Sequence, residues 1–207
     1  MPKSRGRNPE RDRNDVRSLI AQGAARLMAE DGIDDYATAK RKAARQAGVE
    51  DTRSLPTNEE IDAALHLHQA LYGGEAHLEH LRALREQALA VMRDLERFNP
   101  YLTGPVLKGT AGKYADIDLQ LYTDNEKGVE LYLMARGKRY RPGQRRLWIG
   151  EDARTVSVFT VEDAGVEIEL VVLALDDLRV PIRTAAEGKP LERARVAAVE
   201  ALLDEPS

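Results

Sequence analysis

Apolar residues recur at three- and four-residue spacing through the first hundred positions, which predicts a series of helices. The predicted helices cover residues 16–30, 35–47, 58–72 and 76–97. Asp15 is suited to cap the first helix, and Thr57 or Asn58, each closely followed by glutamates, is suited to cap the third. A glycine follows each of the first three helices, as is common at helix ends. We therefore expect a helical N-terminal region.

From about residue 115 onward the pattern changes to short apolar and alternating runs, which are typical of strands. Strands are predicted at 115–122, 144–149, 154–161 and 166–175, with a short helix at 124–137 and a last helix at 191–203. Thr123 or Asp124 is suited to cap the short helix, and Ala164 with Gly165 predicts a hairpin between the last two strands. Residues 176–189 read as irregular structure. This order predicts an α+β fold.

Length, charge and composition limit the possible domain organisation and the possible classes of function. With 207 residues, the chain has room for a basic flexible tail at 1–14, a helical region at 15–75 and one α+β domain at 76–207. The net charge of −4 does not attract polyanions in general, and the lack of cysteine excludes disulfides and thiolate chemistry. No apolar run approaches the length of a membrane span, and the basic start lacks the apolar core of a secretory signal. We expect a cytoplasmic protein.

The stretch from Gly104 to Leu119, GPVLKGTAGKYADIDL, carries the strongest chemical signal. Asp116 and Asp118 are two residues apart, so on a strand both carboxylates would project from one face, opposite the apolar neighbours. Two such acids repel each other unless a cation or a proton lies between them. The glycines and lysines just upstream are suited to contact a metal-bound polyphosphate.

This stretch resembles the signature of the nucleotidyltransferase fold, which is shared by DNA polymerase beta, poly(A) polymerases and small bacterial nucleotidyltransferases. Gly104 matches the turn glycine, Lys108 with Gly109 matches the basic residue and its glycine, and the Asp-x-Asp pair follows twelve residues after Gly104. Pro105 stands where the family has a serine that helps to hold phosphates, and it offers neither a hydroxyl nor an amide hydrogen.

The resemblance implies a mixed sheet with flanking helices, and transfer of a nucleoside monophosphate from a nucleoside triphosphate to an acceptor. It implies three carboxylates that hold Mg²⁺ or Mn²⁺: Asp116, Asp118 and a third acid on a neighbouring strand. Glu169 is the expected third acid, with Glu167 as its substitute. The expected nucleotide-binding residues are Gly104, Lys108, Gly109 and Lys113. The acceptor could be an RNA, a protein or a small molecule.

A basic run follows the predicted Asp-x-Asp strand, with two aromatic residues interleaved. It comprises Arg136, Lys138, Arg139, Arg141, Arg145 and Arg146, with Tyr140 and Trp148. Such a run suits either phosphate contact with base stacking or a solvated edge of the sheet. In the first case it would favour RNA as the acceptor.

Two other functions fit the sequence. Because Pro105 replaces the phosphate-binding serine, the fold could be retained as a non-catalytic binding module. Residues 38–49, TAKRKAARQAGV, also resemble the first half of a helix-turn-helix unit, but an acidic segment with a proline follows where a recognition helix should lie. The N-terminal helices could instead contact a partner protein or form a homodimer.

Overall fold

The computed structural model describes residues 9–33, 35–49 and 55–204, with side chains from residue 14 onward. The chain divides into two compact units, residues 1–77 and 78–207. The first is helical and the second contains a mixed six-stranded sheet with flanking helices, so the predicted α+β class is confirmed.

The N-terminal unit packs three helices around small side chains: α1 Pro9–Asp31, α2 Tyr36–Gln46 and α3 Asn58–Tyr72. Its core is formed by Ile20, Ala21, Ala24, Ala25, Leu27, Met28, Ala39, Ala43, Ala44, Ile61 and Leu65. Alanine at the contact positions lets the helices approach closely, and a Cβ added to Gly23 would lie 3.3 Å from Ala43 Cβ. The side chain of Thr57 accepts a hydrogen bond from Glu60 N, and Glu60 returns one to Thr57 N, so Thr57 caps α3 as predicted.

The second unit contains the following elements: α4 Gly74–Asp94 (which begins before the boundary), β1 Pro100–Thr103, α5 Gly104–Lys108, β2 Ile117–Tyr122, α6 Glu126–Ala135, β3 Tyr140–Ile149, β4 Asp152–Asp163, β5 Val166–Leu173, β6 Ile182–Arg183 and α7 Val196–Asp204. Short 3-10 helices cover Glu96–Phe98 and Leu175–Arg179.

The sheet has the strand order β1-β2-β5-β4-β3-β6. β2 and β5 are parallel, and the other neighbouring strands are antiparallel. The hairpin between β4 and β5 turns at Ala164 and Gly165, both at positive φ, as the sequence predicted.

The two faces of the sheet pack in different cores because side chains alternate along each strand. On one face, Ile117, Leu119 and Leu121 of β2 pack with residues of α4, α6 and α7. On the other face, Tyr122 packs with Val171 and other residues of β3 to β6. Asp118 belongs to this second face, since it lies between Ile117 and Leu119 in the strand.

Several predicted boundaries are wrong for identifiable reasons. α1 begins at Pro9, so Asp15 lies inside the helix rather than at its cap, and residues 1–8 of the predicted tail lie outside the described residues. α6 is capped by Asn125, whose side chain accepts from Gly128 N, rather than by Thr123 or Asp124. The last helix begins at Val196, because Ala194 is held in a bridge to Leu102 of β1.

Two elements near the predicted site were also missed. Residues 100–103 form strand β1, which pairs with β2, and the expected glycine turn after it begins with the short helix α5. β2 starts at Ile117, so Asp116 lies just before the strand and the prediction that both aspartates belong to it is wrong.

Candidate functional site

Asp118 and Glu169 lie side by side on neighbouring parallel strands. They are register partners in the β2–β5 ladder, and their side chains are 23% and 24% exposed. Both occupy positions between fully buried apolar residues that anchor the opposite face, namely Ile117 and Leu119 on β2 and Ile168 and Leu170 on β5. The alternation of the two strands therefore fixes two carboxylates at one place on the sheet.

A guanidinium group lies against this acid pair. Arg145, on β3, reaches past β4, and its Nη2 donates a hydrogen bond to Glu169 Oε2. Its Nη1 lies 3.8 Å from Asp118 Oδ1. The arginine is the more exposed partner, with 40% of its side chain accessible. The site thus contains two acids and one cation.

Burial and the neighbouring acids raise the pKa of Asp118 to about 7. Loss of hydration is the largest cause, followed by the charge of Glu169, while the guanidinium of Arg145 acts in the opposite direction. A hydrogen bond between the two carboxyl groups and the charge of Asp116 raise the pKa further. The carboxyl group of Asp118 therefore holds a proton more readily than an isolated aspartate does.

Gly104 allows the backbone at the start of α5 to contact the acid pair. Asp118 leaves no room for a side chain at Gly104. A Cβ added to Gly104 would lie 3.1 Å from Asp118 Cγ and closer still to Asp118 Oδ2. Its φ of +73° is also one that other residues rarely adopt. α5 is held in place by buried Val106 and by Arg85, whose guanidinium donates to the carbonyls of Val106 and Leu107 at 3.2 Å.

The remaining predicted residues are spread around this pair. Asp116 is partly exposed and lies two residues before Asp118, near enough to affect its pKa. Lys108 ends α5 and Gly109 caps it, while Lys113 is exposed with its Nζ 5.3 Å from the centre of the Tyr114 ring.

The structure places Glu169, and not Glu167, beside Asp118. Glu167 is two residues earlier on the same face of β5, where it accepts a hydrogen bond from Arg141 Nη2 at 2.5 Å. This outer pair is much more exposed, at 71% for Arg141 and 44% for Glu167. It repeats the Arg145–Glu169 pair one step further along the sheet and therefore offers a natural control.

Pro105 occupies the first helical turn of α5. Its ring has no amide hydrogen, but an amide at that position would have no partner within the helix in any case. The proline is therefore compatible with the local fold.

Most of the basic run is engaged with acidic side chains. Arg136 pairs with Asp94, Lys138 with Asp163, Arg141 with Glu167 and Arg145 with Glu169. Tyr140 donates its hydroxyl hydrogen to Glu130. The sequence named Arg145 only as a member of this run; its place at the acid pair depends on the strand order, which no local pattern reveals.

A divalent metal is the cofactor that the resemblance implies, and the two carboxylates of the pair are the type of ligand that it prefers. Asp118 and Glu169 offer carboxylate oxygens, the ligands that Mg²⁺ and Mn²⁺ prefer. Within the described residues, however, no group of three or more histidines or acids stands in an arrangement that could hold a metal ion. Asp116, the remaining carboxylate of the expected set, lies outside the strand. The guanidinium of Arg145 contacts the other two, Asp118 and Glu169.

The N-terminal unit has a groove of its own, with a volume of about 640 Å³, lined by residues of α1, α2 and α3. Its polar lining includes His68, whose Nε2 lies 3.4 Å from Glu30 Oε1. Among the parts of the chain that are described, no helix combines the length and apolarity needed to span a bilayer.

Comparison of the chain with known protein families, with curated proteins and with solved structures found no match in any of the three. The acid pair and the resemblance of residues 104–119 are therefore the features of this chain that bear on its function.

Proposed function

We propose that this protein is a metal-dependent nucleotidyltransferase, which transfers a nucleoside monophosphate from a nucleoside triphosphate to an acceptor hydroxyl. The observation that carries the proposal is the pairing of Asp118 with Glu169 across neighbouring parallel strands, with Gly104 close against Asp118. The pair supplies closely spaced carboxylates, and the glycine lets main chain approach them without a side chain in between.

In the proposed reaction the acceptor oxygen attacks the α-phosphorus, the bond to the bridging oxygen breaks, and pyrophosphate leaves. Asp116, Asp118 and Glu169 would hold Mg²⁺ or Mn²⁺, which supplies neutralisation of the phosphate charge when it is bound. The acceptor proton passes to a carboxylate of the pair. Lys108 and Lys113 contact phosphate oxygens, with the backbone of Gly104 and Gly109 close to them.

A second candidate is a non-catalytic protein with the same fold. The specific observation in its favour is that Arg145 already forms ion pairs with both acids, while Pro105 lacks the hydroxyl expected for phosphate binding. Such a protein would act through binding alone. DNA binding has less support, because α3 carries Glu59, Glu60 and Asp62 and contains no lysine or arginine.

Calorimetric titration with each of the four common nucleoside triphosphates, with and without Mg²⁺, separates the first two candidates. The titrations use the native protein, the double variant Asp118→Asn with Glu169→Gln, and Glu167→Gln as the matched control. We expect Mg²⁺-dependent binding that the double variant loses and the control keeps. No binding of any triphosphate by the folded protein would overturn the transferase proposal and leave the non-catalytic one.

A further inference from the structure

Arg145 makes the contacts that a bound cation would make at the acid pair. Its Nη2 donates to Glu169 Oε2, and its Nη1 lies 3.8 Å from Asp118 Oδ1. The two carboxylates are about one-quarter exposed, so they are only partly hydrated and depend on this guanidinium for charge compensation.

We propose that Arg145 is an internal counter-cation that competes with the divalent metal for Asp118 and Glu169, and so sets the affinity of the site for that metal. The inference rests on the proposed function, because it concerns the same metal site. It assigns Arg145 a positioning role: the arginine keeps the two acids together when no metal is bound and leaves them when a metal binds.

Electrostatics gives the direction of the effect. A divalent cation at the carboxylates would lie within a few ångströms of the guanidinium, and like charges at that distance repel each other strongly in a partly desolvated site. Metal binding must therefore also break the Arg145–Glu169 hydrogen bond and displace the guanidinium. Because 40% of the Arg145 side chain is exposed and the side chain is long, it can move into solvent without disturbing the sheet.

The outer pair provides a control that is matched in charge and in location. Arg141 lies on the same strand and the same face as Arg145 and pairs with Glu167. Replacing either arginine by glutamine removes one positive charge from β3. Long-range electrostatics changes in the same direction in both variants, whereas only Arg145→Gln frees the carboxylates at the site.

The test has two measurements. Calorimetry measures the binding of Mn²⁺ to the nucleotide-free protein, and thermal unfolding is measured in EDTA and in Mn²⁺. We expect Arg145→Gln to bind Mn²⁺ at least about tenfold more tightly than the native protein, which corresponds to roughly 1.4 kcal/mol. It should also melt at a lower temperature in EDTA and recover in Mn²⁺. Arg141→Gln should bind as the native protein does, and adding Glu169→Gln to Arg145→Gln should remove the gained affinity.

A second measurement uses the unaltered protein in case Arg145→Gln does not fold. The Nε–H resonance of Arg145 in a nitrogen-15 spectrum should shift as Mg²⁺ is added, while that of Arg141 should not. An unmoved Arg145 resonance at saturating metal would overturn the inference.

The outcomes separate this inference from the proposed function. If the native protein and Arg145→Gln bind Mn²⁺ equally, and Glu169→Gln abolishes binding in both, the competition is wrong while the metal site stands. If neither protein binds Mn²⁺ in a manner that depends on Glu169, both the competition and the metal dependence of the proposed transferase are overturned.

Discussion

Asp118 is constrained by Glu169 on the neighbouring strand, by the guanidinium of Arg145, and by Gly104, whose α-carbon leaves no room for a side chain. Each contact limits a different property of the carboxyl group. Glu169 favours its protonated form, Arg145 favours its charged form, and Gly104 restricts its position.

The raised pKa of Asp118 predicts that stability falls as pH increases. In the unfolded chain the carboxyl loses its proton near its ordinary pKa of 3.8, but in the folded protein it keeps the proton up to about pH 7. The folded state therefore binds more protons between these values, and the free energy of unfolding decreases with rising pH across that interval. Asp118→Asn should flatten this slope and be more stable than the native protein at about pH 8, by on the order of 1 kcal/mol.

Urea denaturation at several pH values measures this slope, and Glu167→Gln is the control because it changes an acid on the same face outside the pair. An Asp118→Asn variant that keeps the native slope would show that the proton is bound elsewhere.

Replacing Gly104 by alanine should destabilise the protein for two reasons, the strain of its backbone conformation and the contact of the new side chain with Asp118. Gly104→Ala forces a side chain into the left-handed region, at a cost of about 1–2 kcal/mol, and also pushes Asp118 away. Gly137→Ala has a similar φ of +65° but nothing within 4 Å of the added Cβ, so it isolates the backbone cost. We expect Gly104→Ala to be less stable than Gly137→Ala in urea denaturation. Equal losses would mean that Asp118 is not held against Gly104.

At the scale of elements, the segment between β5 and α7 is fixed to the sheet by an arginine. Arg193 Nη1 donates to Tyr122 Oη at 2.5 Å, and its Nη2 donates to the carbonyl of Leu178 at 2.6 Å. Tyr122 is fully buried on β2, and its hydroxyl donates in turn to Gln120 Oε1. This chain of hydrogen bonds extends along the face of β2 that also carries Asp118.

Arg193→Ala should therefore lower the free energy of unfolding by roughly 2–3 kcal/mol, because it leaves a buried hydroxyl and a carbonyl without their charged donor. Arg195→Ala is the matched control, since Arg195 is exposed and its Nε donates a hydrogen bond to Tyr101 Oη. Its loss should be below about 1 kcal/mol. Chemical denaturation of both variants tests the difference, and equal losses would show that the hydrogen bonds of Arg193 contribute no more than an exposed contact.

In the helical unit, the cap of α3 gives a further prediction. Thr57→Ala removes the side-chain acceptor for Glu60 N and should destabilise the protein by about 1 kcal/mol, whereas Thr57→Ser keeps the oxygen and should cost much less. Thermal unfolding compares the two variants. A serine variant as unstable as the alanine variant would assign the effect to the methyl group instead of the cap.

The elements that the sequence predicted well are those with a strong local signal. α2, α3 and the β4–β5 hairpin were found because periodicity, capping residues and the Ala164–Gly165 turn act within a few residues. β1 and α5 have four and five residues, too few to show a period, and each is defined by its contacts with β2. Length and context explain these misses.

At the scale of the whole molecule, the candidate site depends on strand order. The sequence could nominate Asp118 and Glu169 as acids on two strands, because both alternate with apolar residues. The sequence could not place Arg145 at the pair. Arg145 lies on β3, and the distance of β3 from the pair is set by the strand order, in which β4 alone separates β3 from β5. Contacts between residues far apart in the chain are decided by topology, and topology is not encoded in a local pattern.

The distribution of charge over the chain bears on the choice of acceptor. With 31 basic and 35 acidic residues, the protein is acidic overall, and four of the six cations in the basic run already pair with carboxylates. Non-specific RNA binding draws its free energy from cations that neutralise phosphates and release counterions. Lysines and arginines that already form ion pairs would first have to break those pairs, which lowers the free energy available for RNA binding.

We therefore expect binding of a labelled single-stranded RNA to be weaker than about 10⁻⁴ M near physiological salt, the weak end of the non-specific range. Fluorescence anisotropy measures it, and the double variant Asp163→Asn with Glu167→Gln is the comparison, because it frees Lys138 and Arg141. That variant should bind more tightly and with a steeper salt dependence. Micromolar binding by the native protein, with a steep dependence on salt, would contradict this charge argument and favour RNA as the acceptor.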